Sequence, residues 1–346
     1  MMFAVAVTEP NKIEIVQVPK PIPGAYQVRV KTEAACLCNM TDRKLVEGHF
    51  PGVEQYPLLL GHETVGIVEE VGANVRNFKV GDRVVGGLLL SPTDQTYGSG
   101  WGGFSEYTLA GDHQAMVEDG NATAEHGWFE VYEIMRTVPP HISVEDAVML
   151  CTWREVYGAF GDFYLKAGDD ILIYGGGPVG LSFVKFARLL GLGEIYLVDR
   201  WAHKRDKALS MGATAAFAPD DPGLSALLQT KRGALDAVID AVGKEEIINS
   251  ALPLVKLGGS ICVYGVIDGP SVRLDKSTAP YNFNLFIHQW PTRSREHDAQ
   301  EPLIEWIQAG KLSYQEFISA EFPIAQIEEA YESAQKTRAI KTLLRY

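Results

Sequence analysis

The chain has 346 residues, which is more than one typical domain needs and suits two. Hydrophobic residues make up 46% and charged residues 22%, a balance that is typical of globular proteins and excludes a disordered chain. The net charge of −13 argues against nucleic acid or an anionic membrane surface as a partner. No apolar run reaches the roughly 18 residues that cross a membrane. Only four cysteines occur, so we expect a cytoplasmic protein without a disulfide framework.

The first part of the chain has the pattern of short strands. No basic residue precedes the apolar run at the N-terminus, so this run predicts a first strand rather than a signal peptide. Apolar and polar residues alternate over 27–31 and 64–69, which is the period of half-buried strands. Glycine-rich turns follow these runs. We therefore expect a β-rich domain over residues 1–150.

From about residue 167 strands and helices alternate. Short apolar runs predict buried strands at residues 170–174, 195–198, 237–239 and 260–265, with helices after the first strand and over residues 245–256. This alternation predicts an α/β domain with a doubly wound parallel sheet over residues 151–287. Residues 288–346 leave the pattern, and we expect them to return to the first domain. The acidic stretch 117–133 is predicted to be a loop or short insertion.

A glycine-rich turn joins the first of these strands to its helix. Gly175 permits the tight turn, Gly177 the close approach of a pyrophosphate, and Gly180 the close packing of helix on strand. Pro178 and Val179 open the helix, whose free amides and partial positive charge suit phosphate groups. The pattern predicts a dinucleotide-binding loop.

Asp199 lies 19 residues after Gly180, at the end of the second predicted strand. A carboxylate at this place binds the ribose hydroxyls and repels a 2′-phosphate, which favours NAD over NADP. Arg200 follows directly and weakens this preference, because an arginine there can accommodate the phosphate.

A second motif, GHETVG at residues 61–66, lies in the β-rich part, downstream of Cys38, Thr41 and Asp42. With the glycine-rich turn, it makes the chain resemble the zinc-containing alcohol and polyol dehydrogenases of the medium-chain dehydrogenase/reductase family over nearly its whole length. The resemblance implies a GroES-like catalytic domain and a Rossmann domain. It also implies a homodimer or homotetramer, with the strand at residues 262–266 continuing the sheet across subunits.

The resemblance further implies one catalytic zinc ion held by Cys38, His62 and Cys151. Glu63 matches a carboxylate that can join the ligands, and Asp42 matches a residue that orients the imidazole of His62. Zinc would lower the pKa of the substrate hydroxyl, and hydride would pass to NAD.

Two details of the cysteines stay open. Cys38 and Asp42 are one residue further apart than the family pattern, and Cys36 is a competing thiolate; we favour Cys38 because it lies nearer Asp42. No cysteine occurs between residues 86 and 136, so we expect no structural zinc. Cys262 is expected to pack as a small hydrophobic residue.

The resemblance also bears on proton transfer. Thr41 matches the residue that begins a proton relay, whereas Lys44 stands where a histidine often completes it.

The substrate is the least determined part of this interpretation. Six polar residues near the expected cleft favour a polyol, sugar alcohol, cyclitol or amino-polyol; they are Arg154, Glu155, His288, Gln289, Arg293 and Arg295. The same side chains also suit solvated faces or subunit contacts. Trp101, Phe104 and Trp153 are candidates to line the cleft, although aromatic residues lie more often in the core. A simple alcohol dehydrogenase, a zinc-free quinone or enoyl reductase and a non-catalytic NAD-binding protein remain as alternatives.

Overall fold

The computed structural model describes residues 1–267, 269, 271–336 and 339–346. It divides into two compact units, the first formed by Met1–Thr152 with Gln300–Tyr346 and the second by Trp153–Ala299. The chain therefore leaves the second unit only after Ala299, twelve residues later than the sequence suggested. Asp162 explains the difference, because its carboxylate accepts hydrogen bonds of 2.8 Å from both the amide and the hydroxyl of Thr292. These bonds keep the segment around residue 292 in the second unit.

The strands follow in chain order. They are β1 Met2–Glu9, β2 Lys12–Val18, β3 Gln27–Leu37, β4 Leu58–Leu59, β5 Thr64–Val71, β6 Arg83–Val85, β7 Gly98–Ser99, β8 Tyr107–Gly111, β9 Arg136–Val138, β10 Ile171–Tyr174, β11 Ile195–Val198, β12 Ala215–Phe217, β13 Leu235–Asp240, β14 Val255–Val263, β15 Asn284–Ile287, β16 Ile318–Pro323 and β17 Lys341–Arg345.

The helices complete the element order. The α-helices are α1 Thr41–Val46, α2 His113–Glu118, α3 Val144–Asp162, α4 Pro178–Leu189, α5 Ala202–Ser210, α6 Pro222–Thr230, α7 Glu245–Ala251, α8 Arg293–Asp298, α9 Gln300–Gln308 and α10 Ile327–Gln335. Short 3₁₀ helices cover Ala124–His126, Glu130–Ile134, Lys276–Thr278, Tyr314–Glu316 and Ile324–Gln326. The predicted loop at 117–133 thus includes the end of α2, one 3₁₀ helix and most of a second that ends at Ile134. Among the described residues, no helix combines the length and the apolar character that crossing a membrane requires.

The first unit contains two sheets. One has the strand order β2-β1-β4-β7; the other has the order β16-β17-β3-β5-β6-β9, with β8 also paired to β3. Strand β3 is 11 residues long, so β8 pairs with its first half and β17 with its second half. The register of β17 sets Thr342 opposite Leu37. This pairing brings the start of β17 beside the end of β3, where the candidate metal centre begins.

The second unit contains one six-stranded parallel sheet in the order β12-β11-β10-β13-β14-β15. This is the doubly wound order of dinucleotide-binding domains, with β10 and β13 at the point where the order reverses. The predicted fold class, a β-rich GroES-like part with a Rossmann α/β part, is confirmed.

Two sequence-based expectations about this sheet are wrong. The helix predicted over 245–256 ends at Ala251, because Pro253 has no amide N–H to continue the helical hydrogen bonds, and Val255 already begins β14. The strand that contains Cys262 does not reach the edge of the sheet, since β14 pairs with β13 on one side and β15 on the other. It has no free edge to continue a sheet into another subunit. Cys262 is fully buried, as expected.

Candidate metal centre and dinucleotide-binding loop

Cys38, His62 and Glu63 form a group in which one ligand atom from each side chain lies within 4.8 Å of the other two. The fold creates this group, because Cys38 follows the last residue of β3 and Glu63 precedes the first residue of β5. The two strands are antiparallel neighbours, and the amide of Cys36 donates a 3.0 Å hydrogen bond to the carbonyl of Glu63. A thiol, an imidazole and a carboxylate are thereby gathered next to the ends of two paired strands, whose register shifts between Thr32 and Ala34.

Asp42 fixes the orientation of His62. Its Oδ1 lies 3.2 Å from His62 Nδ1, and its Oδ2 accepts a 2.8 Å hydrogen bond from the amide of Cys38. The longer Cys38–Asp42 spacing is accommodated by one helical turn, since the amide of Asp42 donates to the carbonyl of Cys38 at 3.2 Å. The other ring nitrogen, Nε2, lies 3.9 Å from Glu63 Oε1. The ring therefore presents Nε2 to the group.

The charges around this ring shift two pKa values in opposite directions. Burial lowers the pKa of His62, but the charge of Asp42 and the contacts with Asp42 and Cys38 outweigh burial and raise it well above its usual value. Burial raises the pKa of Cys38, but the hydrogen bond and charge of His62 outweigh it and lower that pKa. The thiolate, which is the form that binds metals, is thus favoured at Cys38.

Lys341 completes the centre and was missed by the sequence analysis. Its ammonium lies 2.6 Å from a carboxylate oxygen of Glu63 and donates to the hydroxyl of Thr152 at 3.0 Å, although only 1% of the residue is exposed. Thr152 in turn donates to the other oxygen of Glu63 at 3.0 Å. Burial lowers the pKa of Lys341, but the charges of Glu63 and Cys38 outweigh burial and raise it. Lys341 therefore stays charged and fixes the carboxylate of Glu63.

The other cysteines lie outside this group. The thiol of Cys151, in α3, lies 3.6 Å from the carbonyl oxygen of Thr64, and the structure does not gather it with the three side chains. Cys36 is fully buried, and burial raises the pKa of its thiol. The structure thus brings Cys38, rather than Cys36, to His62.

The remaining predicted residues of this unit take up different positions. Thr41 is the half-buried first residue of α1, three positions after Cys38. Lys44 is buried, with 8% of its surface exposed. Of the aromatic candidates, Phe104 and Trp153 are fully buried, whereas Trp101 is half-buried.

Trp101 lies beside the imidazole of His62. The ring centroids of the two side chains are 5.5 Å apart, and Phe50 meets the indole edge to face at 5.4 Å. The backbone of Trp101 is left-handed, with φ +66°, which costs about 1–2 kcal/mol at a bulky residue. Hydrogen bonds hold this strained backbone, since the amide of Leu89 donates to the carbonyl of Trp101 at 2.8 Å.

In the second unit, the predicted glycine-rich loop joins β10 to α4. Gly175 has φ +101°, a backbone conformation that only glycine adopts easily. A Cβ added at Gly180 would lie 1.7 Å from the carbonyl oxygen of Gly175, so helix and strand meet without room for a side chain. Pro178 and Val179 form the first turn of α4, where the fixed φ of proline suits the first helical position.

Asp199 lies directly against this loop, because β10 and β11 are parallel neighbours and end at the same edge. Its carboxylate accepts hydrogen bonds of 2.7 Å from the amides of Gly176 and Trp201. The guanidinium of Arg200 lies 5.3 Å from the centre of the Trp201 ring. Lys204, another residue that the sequence analysis missed, is buried beside Asp199, and burial lowers its pKa. In the sequence, it could have been recognised as a lysine in the helix that begins just after Asp199.

The polar residues expected to line a substrate cleft bond instead within the second unit. Arg293 donates to the buried carboxylate of Glu296 at 2.9 Å, and Arg295 Nε lies 3.0 Å from Asp162. Further contacts inside this unit involve Arg154 with Glu296, Glu155 with Tyr264, Gln289 with Gly265, and His288 with Asp162. These side chains therefore give no support to a hydroxyl-rich substrate.

Comparison with known proteins identifies the family. The model of the alcohol dehydrogenase GroES-like domain matches residues 24–118, and that of the zinc-binding dehydrogenase domain matches residues 178–307. Together these two ranges cover more than half of the chain. The chain belongs to the zinc-type medium-chain alcohol dehydrogenase family.

Relatives in this family match over nearly full length. The chain is 27% identical to alcohol dehydrogenase class-3 of Myxine glutinosa, over 97% of this chain and 94% of that one. It is 25% identical to a sorbitol dehydrogenase of Halalkalibacterium halodurans, over 94% and 93% of the two chains. A solved alcohol dehydrogenase from Escherichia coli CFT073, bound to NADH, superimposes with a TM-score of 0.79 at 22% identity, covering 100% of this chain and 99% of the other.

For this family member, Gly180→Ala is expected to lower the free energy of unfolding of the second unit by about 3 kcal/mol, because the added methyl group collides with the Gly175 carbonyl. Thermal unfolding followed by circular dichroism measures the effect. Gly177→Ala is the matched control, since a Cβ there meets nothing within 4 Å. Equal melting temperatures for the two variants would contradict this account of the loop.

Proposed function

We propose that the chain is a zinc-dependent, NAD-linked dehydrogenase that interconverts an alcohol and the corresponding carbonyl compound. Membership of the family makes it an oxidoreductase of the alcohol dehydrogenase type. The observation that carries the finer proposal is the group of Cys38, His62 and Glu63, with Asp42 behind the imidazole. A thiolate, an imidazole and a carboxylate differ in softness, and held together near the ends of paired strands they suit one borderline-soft cation.

The residues of the metal centre fit zinc. Cys38, His62 and Glu63 are proposed as ligands because they are gathered in the structure. Cys151 stays a proposed ligand, since a thiol that donates a weak 3.6 Å hydrogen bond to the carbonyl of Thr64 can still bind a metal. When bound, the ion supplies a Lewis acid that lowers the pKa of a substrate hydroxyl. Asp42 holds the imidazole with Nε2 toward the group.

Thr41 is proposed to begin a proton relay. Its hydroxyl lies at the start of α1, three residues after Cys38, and would take up the proton that the substrate hydroxyl loses while passing its own proton on to water. Lys341 and Thr152 bind the oxygens of Glu63 and so hold this carboxylate in place beside the other two side chains.

The cofactor is proposed to be NAD. Gly175, Gly177 and Gly180 would admit the pyrophosphate, and the carboxylate of Asp199 would bind the ribose hydroxyls while repelling a 2′-phosphate. Arg200 lies against Trp201, which keeps its guanidinium close to a ring rather than free at the ribose position. When bound, oxidised nicotinamide would supply the hydride acceptor that alcohol oxidation requires.

The substrate is proposed to be an alcohol of the polyol, sugar alcohol, cyclitol or amino-polyol class. The similarity to a sorbitol dehydrogenase supports this class.

One experiment tests the proposal as a whole. Zinc is measured by atomic absorption in freshly purified protein, and reduced cofactor is followed by its absorbance with polyols, cyclitols, amino-polyols and simple alcohols. We expect about one zinc ion per chain, turnover of at least one alcohol, and a higher kcat/KM with NAD than with NADP. Absence of zinc together with full activity after chelation would falsify the metal assignment, and lack of turnover across the panel would refute the enzymatic one.

A further inference from the structure

We propose that Trp101 determines substrate specificity, and that it selects alcohols whose carbinol carbon belongs to, or is attached to, a six-membered ring. This inference rests on the proposed function, because it concerns the same site. It goes further by assigning the shape of the carbon skeleton, which the motifs do not specify. The shared chemistry is a six-membered ring that can stack on the indole, through its C–H groups if saturated or its π face if aromatic.

The indole of Trp101 lies next to the candidate metal centre. Trp101 lies 5.5 Å from the ring of His62, measured between centroids, and is only half-buried, whereas the aromatic neighbour Phe104 is fully buried. A substrate whose oxygen points at the group of Cys38, His62 and Glu63 has its carbon skeleton within reach of this indole. Trp101 is therefore placed to contact substrate.

The backbone of Trp101 is strained. A tryptophan that only filled the core would not require a left-handed backbone, yet Trp101 has φ +66°. The segment is clamped on both sides: Gly100 and Gly102 donate to the carbonyl of Leu59 at 2.7 and 3.1 Å, and Gly103 donates to that of Gly61 at 2.6 Å. The strand end that carries His62 therefore also positions Trp101.

The segment that carries Trp101 is closely packed. A Cβ added at Gly102 would lie 2.6 Å from the side chain of Leu89, and one added at Gly103 would lie 2.8 Å from the carbonyl oxygen of Gly61. Phe50 supports the indole edge to face at 5.4 Å. A closely packed segment of this kind favours a ligand whose face complements the indole over a flexible chain, which must lose more conformational freedom to bind.

The test compares substrates matched in carbon number. With NAD as cofactor, kcat/KM is measured for cyclohexanol against hexan-2-ol, inositol against sorbitol, and benzyl alcohol against hexan-1-ol, using the zinc-loaded protein. We expect the ring member to be favoured in at least one pair by about 3- to 10-fold, the size of one aromatic stacking contact. The pair that shows the preference distinguishes a cyclic polyol, a plain saturated ring and an aromatic ring.

Variants separate recognition from packing. Trp101→Leu is expected to abolish the preference of the favoured pair, and Trp101→Phe, which keeps a flat ring, is expected to retain it. Trp128→Leu is the matched control, because Trp128 is a half-buried indole of the same unit that donates to His113 at 3.0 Å. It should leave the ratio unchanged.

The outcomes distinguish the two proposals. If no alcohol is oxidised, the proposed function itself fails. If alcohols are oxidised but open-chain members match their ring partners, or Trp101→Leu leaves the ratio unchanged while lowering the melting temperature, Trp101 is a packing residue and this inference is overturned.

Discussion

Lys341→Met is expected to lower the free energy of unfolding of the first unit by about 3–5 kcal/mol, because it leaves the carboxylate of Glu63 buried and without its cation. For a unit of this size the melting temperature should fall by about 10 °C. The measurement is thermal unfolding of protein stripped of metal with a chelator, since a bound divalent cation would itself compensate the carboxylate.

The control and the second variant make this prediction specific. Lys336→Met removes a lysine whose side chain is 69% exposed and pairs with Glu332, and it should change the stability by well under about 1 kcal/mol. Glu63→Gln combined with Lys341→Met removes both charges and should destabilise less than the sum of the single changes. If the Lys341→Met protein has the same melting temperature as the Lys336→Met protein, the ammonium of Lys341 does not compensate the charge of Glu63.

His62→Ala is expected to remove the bound zinc and to lower NAD-linked alcohol oxidation by about 10³-fold or more, because a Lewis acid contributes several kcal/mol to stabilising the developing alkoxide. Zinc content and kcat/KM are measured on the same preparation, with far-UV circular dichroism to verify folding. Asp42→Asn keeps the imidazole but weakens its anchor, so a smaller loss of about 10- to 100-fold in metal affinity is expected.

His126→Ala serves as the control for this experiment. His126 is exposed in a short 3₁₀ helix and contacts Thr123, far in sequence from the ligands. It should bind zinc and turn over substrate like the unmodified protein. A His62→Ala protein that retains stoichiometric zinc would show that the ion is held by other residues.

Local sequence signals predicted the parts of the molecule that form within a few residues. The loop from Gly175 to Gly180 and the carboxylate of Asp199 come from one strand–helix–strand segment, so spacing alone places them together. Strand periods likewise predicted β3 and β5, whose ends carry Cys38 and His62. Helix α7 ends early because Pro253 lacks the amide N–H that the next helical hydrogen bond needs.

Long-range pairings could not be predicted in the same way. Nothing near Lys341 indicates that it meets Glu63, because only the register of β17 on β3 brings them together. The role expected for Cys151 depended on the direction of one side chain in α3, which spacing does not determine. The polar residues expected near the cleft, such as Arg154 and Arg295, show the same limit. The sequence does not indicate which partner inside the protein a charged side chain will meet.

The pairing of Glu63 with Lys341 also affects the order of events during synthesis. The two residues are 278 positions apart, which at bacterial and eukaryotic elongation rates corresponds to roughly 15–55 s. The whole second unit is made in that interval and can fold before the first unit receives its last strand. Until Lys341 has been made, burying Glu63 would leave its carboxylate without its cation, which disfavours closure of the first unit around it.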